Sequence, residues 1–68
     1  MKVFEVKTEH CEGDSKEITT TIQYVTSEKN TLKSVVDYFT LECEQYEKDL
    51  IRVSEVITIV QYIHISTE

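Results

Sequence analysis

One strong turn signal divides the first part of the chain into two segments of alternating polarity. The turn contains Gly13, the only glycine of the chain, within residues 12–15, and the chain has no proline. The residues that recur at every second position are Phe4, Val6, Thr8 and His10 before the turn, and Ile18, Thr20, Ile22 and Tyr24 after it. A period of two on both sides of a turn predicts two half-buried strands that form a β-hairpin over about residues 2–26.

The register of this hairpin follows if both alternating sets lie on the same face of the sheet. The residues that oppose each other are then Phe4 and Tyr24, Val6 and Ile22, His10 and Ile18, and Glu12 and Lys16. This register leaves residues 13–15 as a three-residue loop. A two-residue loop would turn the apolar side of one strand towards water.

An amphipathic helix is predicted over about residues 31–48. Apolar residues recur there at spacings of three and four: Leu32, Val35, Val36, Phe39, Cys43 and Tyr46. Ser27 or Asn30 is suited to cap the N-terminus. We expect the apolar stripe to pack on the hairpin face that carries Phe4, Val6, Ile22 and Tyr24.

The last segment, over about residues 50–65, is predicted to be a strand. Seven of the ten residues 56–65 are β-branched, and such side chains fit a pleated surface better than a helix. Fully extended, residues 50–65 would span ~50 Å, so the strand must bend near residues 54 and 55 or project beyond the hairpin. The helical spacing also continues through this segment. One bent strand, two strands and an extension of the helix therefore remain open.

Together these elements predict an α+β fold of type β-β-α-β in one small domain. A right-handed crossover from the second strand carries the third strand past the first to its far side. The expected sheet has three antiparallel strands in the order 2-1-3, with the helix across one face.

Acidic residues outnumber basic residues by 13 to 7, which gives a formal net charge of −6. Binding to a phosphate backbone needs clustered Lys and Arg, so we expect no nucleic-acid partner. A basic protein partner is compatible with this charge, although solubility alone also explains it. No apolar run approaches the ~20 residues that cross a bilayer, and residues 1–4 do not resemble a signal peptide. A cytoplasmic protein without a membrane partner is therefore expected.

Four residues are candidates for metal binding or nucleophilic chemistry: His10, Cys11, Cys43 and His64. Zinc sites usually show two ligands in a short motif, whereas His10 and Cys11 are neighbours on a strand and point to opposite faces. Cys43 lies in the apolar stripe of the helix, where a thiol behaves as a small hydrophobic group. We therefore expect no metal, no cofactor, no catalytic residues and no enzymatic activity.

The octet of residues 49–56, Asp-Leu-Ile-Arg-Val-Ser-Glu-Val, follows the hairpin and the helix. In this octet and in the order of its elements, the chain resembles small uncharacterised bacterial proteins that often accompany phage or mobile-element genes. The resemblance implies no activity, ligand or site residue, and it favours an accessory or interaction role.

These features favour a non-catalytic interaction or structural module that self-associates. The third strand is apolar on both faces, whereas one helix covers only one face of the sheet. The candidate interface on the uncovered face consists of Val3, Val25, Val56, Val60 and Tyr62. A homodimer built on the third strand would bury this face. The alternative is a monomer in which residues 60–68 fold back or fray.

Two other functions remain open. An acidic inhibitor of a nucleic-acid-binding protein would present its carboxylates in rows on one face, in place of phosphates. A small-ligand binder or enzyme subunit would need a pocket large enough to enclose its ligand.

Overall fold

The computed structural model describes residues 1–11, 13, 16–58 and 60–66. Within these residues the chain forms four strands and one helix: β1 (Val3–Cys11), β2 (Ile18–Ser27), α1 (Leu32–Gln45), β3 (Asp49–Val56) and β4 (Ile63–Ile65). The strands form one sheet in the order β3-β1-β2-β4. β1 is antiparallel to both of its neighbours, whereas β4 is parallel to β2.

The predicted α+β class is confirmed, and β1 lies between β2 and β3 as expected. The prediction of three antiparallel strands is wrong, because the described residues form a mixed sheet with β4 as a fourth strand. The physical reason is that residues 63–65 leave the line of β3 and pair with β2 at the opposite edge of the sheet.

The core lies between α1 and one face of the sheet, which we call the inner face. Phe4, Val6 and Thr8 alternate with less buried neighbours along β1, which confirms the period of two predicted for this strand. α1 packs on β3 and β1. The buried apolar cluster consists of Phe4, Val6, Val25, Val35, Phe39 and Ile65.

The N-terminus of α1 is capped by Thr31 and not by either predicted residue. The Thr31 hydroxyl accepts a hydrogen bond from the Ser34 amide at 3.2 Å. Ser27 is the last residue of β2, and its buried hydroxyl lies 2.8 Å from that of Ser34. Asn30 has a φ of 55°, and its Oδ1 atom accepts a hydrogen bond from the Lys2 amide at 2.6 Å. Both predicted caps therefore hold the chain that leads into the helix.

The C-terminus of α1 ends three residues before the predicted position. Glu47 adopts a left-handed conformation with a φ of 55°. The Lys48 amide donates a hydrogen bond to the Cys43 carbonyl at 2.8 Å. This is the Schellman arrangement, which satisfies a late helical carbonyl and turns the chain away from the helix axis towards β3.

Replacing Glu47 with glycine is expected to raise the free energy of unfolding by about 1 kcal/mol, since only glycine adopts a left-handed φ without a Cβ penalty. The change also removes a carboxylate from the negative end of the helix dipole. Urea unfolding followed by circular dichroism measures the gain. Asn30→Gly is the control, and it should bring no gain because asparagine tolerates this conformation and its Oδ1 atom is used. Equal effects at both positions would contradict the explanation.

The hairpin register differs by one residue from the predicted one. β1 and β2 pair Phe4 with Val25, Val6 with Gln23, Lys7 with Ile22 and Cys11 with Ile18. Ile18 and Ile22 therefore lie on the face away from α1, which we call the outer face, and are 65% and 50% exposed. The chain positions between the strands are 12–17, so the predicted three-residue loop is too short. The predicted pair Glu12–Lys16 includes residue 12, which lies outside the described residues together with residues 14 and 15.

The predicted strand over residues 50–65 is two strands, one of the arrangements left open. β3 ends at Val56, and β4 begins at Ile63. No bend interrupts β3 at residues 54 and 55, which pair with Glu5 and Phe4. Residues 57–62 connect the two edges of the sheet, and we call them the crossover segment; residue 59 lies outside the described residues. Residues 63–65 pair with β2 at the other edge of the sheet.

Candidate interaction surface

Four of the five candidate interface residues lie together on the outer face. Val3 and Val56 pair across β1 and β3, and they line a cleft of about 320 Å³ with Val60 and Tyr62 of the crossover segment. Val25 does not belong to this surface. It is fully buried on the inner face, because the one-residue shift of the hairpin register turns it towards α1.

The crossover segment covers part of the face that was predicted to be open. Val60 and Tyr62 of this segment lie beside Val3 and Val56. β4 covers the neighbouring Thr26, which points away from α1 but is only 1% exposed, with its hydroxyl 2.8 Å from Nδ1 of His64. Val3, Val56 and Val60 are half-buried. The connection from β2 to β3 and the connection from β3 to β4 both join parallel strands, and they cross the sheet in opposite directions. If both connections are right-handed, they must lie on opposite faces of the sheet. This explains why the crossover segment lies on the face opposite α1.

The rest of the outer face is polar where it spans β1 and β3. Glu5 accepts hydrogen bonds from Tyr24 at 3.3 Å and from Arg52 at 2.7 Å, so one carboxylate joins β2, β1 and β3. A second sheet packed on this face would have to remove these charges from water, which is costly. The outer face is therefore a poor surface for face-to-face packing.

The outward edge of β2 has no strand partner over residues 18–24 among the residues that the structure describes. On this side β4 pairs only with Val25, Thr26 and Ser27. We call the edge of residues 18–24 the β2 edge. Its seven residues, Ile-Thr-Thr-Thr-Ile-Gln-Tyr, carry no charge and include five β-branched side chains. Such an edge is a template for pairing with another strand.

The length of α1 explains why this part of β2 is open on both faces. A helix of 14 residues is ~21 Å long, whereas a strand of ten residues is ~33 Å long. α1 also lies mainly over β3, and its hydrogen bond to β2 is at Ser27, outside residues 18–24. Residues 18–22 are consequently all exposed, including those on the inner face.

The outward edge of β3 is protected in ways that the β2 edge is not. β3 carries Asp49, Arg52 and Glu55 among its eight residues. Its pairing with β1 also shifts between Lys7 and Thr8, which marks a β-bulge at this edge strand. Charges and bulges both discourage the addition of a further strand. Of these two edges, the β2 edge is therefore the one suited to pairing.

A cleft of about 430 Å³ lies where β4 begins and the β2 edge becomes free. We call it the notch, and it is lined by Ile22, Gln23, Tyr24, Gln61, Tyr62 and Ile63. Tyr62 and Ile63 are 55% and 57% exposed. The notch is thus a mostly apolar recess next to an open strand edge, large enough for an aliphatic side chain but too open to enclose a metabolite.

The candidate metal and nucleophile residues do not form a common site. His10 and Cys11 are consecutive in β1, Cys43 is buried in α1, and His64 contacts Thr26. The His10 Nδ1 atom is buried and has no hydrogen-bond partner among the described residues. Within that part of the chain, no group of three or more His, Cys, Asp or Glu side chains is placed to hold a metal ion.

The two cysteines are expected to differ strongly in reactivity. Cys11 is exposed at the end of β1, whereas Cys43 is 4% exposed. Burial, together with the nearby Glu42 carboxylate, raises the pKa of the Cys43 thiol, so less thiolate is present near neutral pH. A thiol reagent such as Ellman's reagent should label Cys11 rapidly and Cys43 only after denaturant is added. Rapid labelling that persists fully in Cys11→Ser under native conditions would contradict this.

Sequence reasoning missed the β2 edge because it assigned Ile18 and Ile22 to the core. One signal in the sequence points to it: β2 has ten consecutive residues without a charge, in a chain where 29% of residues are charged. The edge becomes recognisable only when β4 is known to cover three residues of β2 and to leave the remaining seven open.

Within the described residues, no helix combines the length and apolar character needed to cross a membrane. Comparisons with protein-family models, with curated proteins and with solved structures find no match to this chain. The resemblance of residues 49–56 to small bacterial proteins therefore stays a prediction.

Proposed function

We propose that this protein is a non-catalytic interaction module that binds another polypeptide by strand addition at the β2 edge. The observation that carries the proposal is a stretch of seven uncharged residues with an open backbone edge, in a sheet whose opposite edge is charged and bulged. In strand addition the main chain provides the hydrogen bonds, and side-chain recesses provide the specificity. The notch supplies such a recess at one end of the edge.

The proposal keeps the expectation of a cytoplasmic protein that carries no cofactor. A basic protein partner is the less favoured alternative, because the carboxylates do not form one row. Glu5 and Glu9 lie on β1, whereas Glu44, Glu47 and Asp49 lie around the end of α1 and the start of β3. A partner that recognises charge would meet these groups on separate parts of the molecule.

A pair of matched variants tests this function in extracts of the native host. Ile22→Lys places a charge on the β2 edge, whereas Leu41→Lys places the same charge on α1, where Leu41 is 69% exposed. Strand addition predicts that the wild-type protein and Leu41→Lys retain the same polypeptide, and that Ile22→Lys loses it. Mass spectrometry identifies the polypeptide, and titration calorimetry with the purified partner should show affinity weakened by about tenfold or more for Ile22→Lys alone.

Both variants should remain folded and melt cooperatively, since both positions are half or more exposed. Equal retention of the partner by Ile22→Lys and by the wild-type protein would refute binding at the β2 edge. Equal loss in both variants would point to a surface on α1 or to non-specific charge effects, and it would also contradict the proposal.

A further inference from the structure

We infer that the strand added at the β2 edge is the β2 edge of a second copy of this chain, antiparallel about a two-fold axis through Thr21. The inference rests on the proposed function and names its partner. It also differs from the dimer expected from the sequence, which was built on the third strand, since that strand has the charged edge.

β4 determines how far the two edges overlap. It occupies β2 at Val25, Thr26 and Ser27, so a new strand finds an open backbone only over residues 18–24. The full overlap of two such segments in antiparallel orientation places Thr21 opposite the partner's Thr21. A shift in one direction makes the added strand collide with β4, and a shift in the other leaves open edge on both copies. The seven residues give a paired length of ~23 Å.

The side chains are complementary in this register. Ile18 stands opposite the partner's Tyr24, and Thr20 stands opposite the partner's Ile22, all on the outer face. Pairs of aromatic and β-branched residues are favourable across antiparallel strands. Thr19 stands opposite the partner's Gln23 on the inner face, where α1 does not cover them. The exposed isoleucines of the edge are thereby paired without bringing charges together.

The notch receives the end of the added strand. β4 and the partner's β2 lie end to end beside β2. The partner's Ile18 therefore arrives next to Tyr62 and Ile63, where β4 begins. Ile18 is 65% exposed in the single chain, and the notch it would fill is lined by Ile22 and Tyr24 as well. The two-fold symmetry gives this contact twice in the dimer. The contact would bury exposed apolar side chains of β2, the crossover segment and β4.

The charge distribution favours a second copy over a charged partner at this place. Each chain carries a net charge of −6, yet residues 18–24 carry none. Two copies therefore repel each other at long range but not at the contact. Salt screens long-range repulsion, so dimerisation should strengthen as salt concentration rises. Weakening with added salt would indicate ionic contacts and would overturn this interface.

Charge-swapped variants at the axis test the inference directly. Thr21 is exposed and faces its own copy, so Thr21→Lys alone and Thr21→Glu alone each bring like charges together. Light scattering coupled to size exclusion, in reducing buffer, should give twice the chain mass of 8.0 kDa for the wild-type protein and the single mass for each variant. An equimolar mixture of the two variants should restore the double mass as a heterodimer, which also shows that both variants are folded.

Besides weakening with added salt, three results would overturn the inference. A wild-type protein that stays at the single mass at all micromolar concentrations excludes the second copy as partner. A Thr21→Lys variant with the double mass excludes this register, as does a charge-swapped mixture that stays monomeric. The proposed function is tested separately from this inference. It stands if the polypeptide that Ile22→Lys fails to bind is a protein other than a second copy of this chain. It is refuted if no bound polypeptide depends on residue 22.

Discussion

Replacing Phe39 with alanine is expected to lower the free energy of unfolding by about 3–5 kcal/mol. Phe39 is 2% exposed and joins the cluster in which α1 meets β1 and β2. Removing its ring leaves a cavity beneath the helix, because neighbours that are tightly packed cannot collapse to fill it. A domain of this length has a total stability of only about 3–10 kcal/mol. The variant should therefore be largely unfolded at room temperature.

Leu41→Ala is the matched control for this prediction. Leu41 is on the same helix and is 69% exposed, so its truncation should change the free energy of unfolding by less than about 0.5 kcal/mol. Urea unfolding followed by circular dichroism measures both variants. A Phe39→Ala midpoint close to that of the wild-type protein would show that α1 docks through a different face.

Replacing Ile65 with alanine is expected to cost about 2–5 kcal/mol, although it lies in a strand of three residues near the end of the chain. Ile65 is 7% exposed, pairs with Ser27 and belongs to the buried apolar cluster. Its neighbour in β4, Ile63, is 57% exposed. Ile63→Ala is therefore the control and should have a small effect on stability. Equal, small effects at both positions would show that β4 does not dock on β2.

The burial of residues in β1 and α1 was predictable from their periodicity, because each of these elements has one face in the core between the helix and the sheet. Phe4 and Val6 in β1, and Val35, Phe39 and Cys43 in α1, are buried as their spacing indicates. Leu32 and Tyr46, at the two ends of the predicted helical stripe, are exposed. Helix and strand periods reflect local backbone geometry, so they are visible in the sequence. The exact ends of α1 were not visible, because they depend on Thr31 as the cap and on the left-handed conformation of Glu47.

The face of β2 was predicted incorrectly for a physical reason. The apolar alternation of Ile18, Ile22 and Tyr24 is in the half of β2 that α1 does not cover, and a strand exposed on both faces carries no information about the core. The covered end is Val25, Thr26 and Ser27, where the inward residues are Val25 and Ser27. Their small size fits the close approach to Ser34, and this decided the register of the whole hairpin.

For the candidate surface, the sequence indicated a group of exposed apolar residues but not where they would be used. Val3, Val56, Val60 and Tyr62 do lie together, because β1 and β3 pair as expected and the crossover segment returns over them. The β2 edge and the notch were not foreseen. Both exist only because β4 begins at Ile63 and covers β2 from Val25 onwards.

The sequence by itself determined the hairpin, the helix, the strand that follows it and the place of β1 between its two neighbours. Those features depend on local periodicity, on β-branched composition and on the handedness of one crossover. Only the tertiary structure decided which face of β2 is buried, that residues 63–65 form a parallel fourth strand, and that residues 18–24 remain an open edge. These depend on how far a helix of 14 residues reaches across a longer hairpin, which no local pattern in the sequence records.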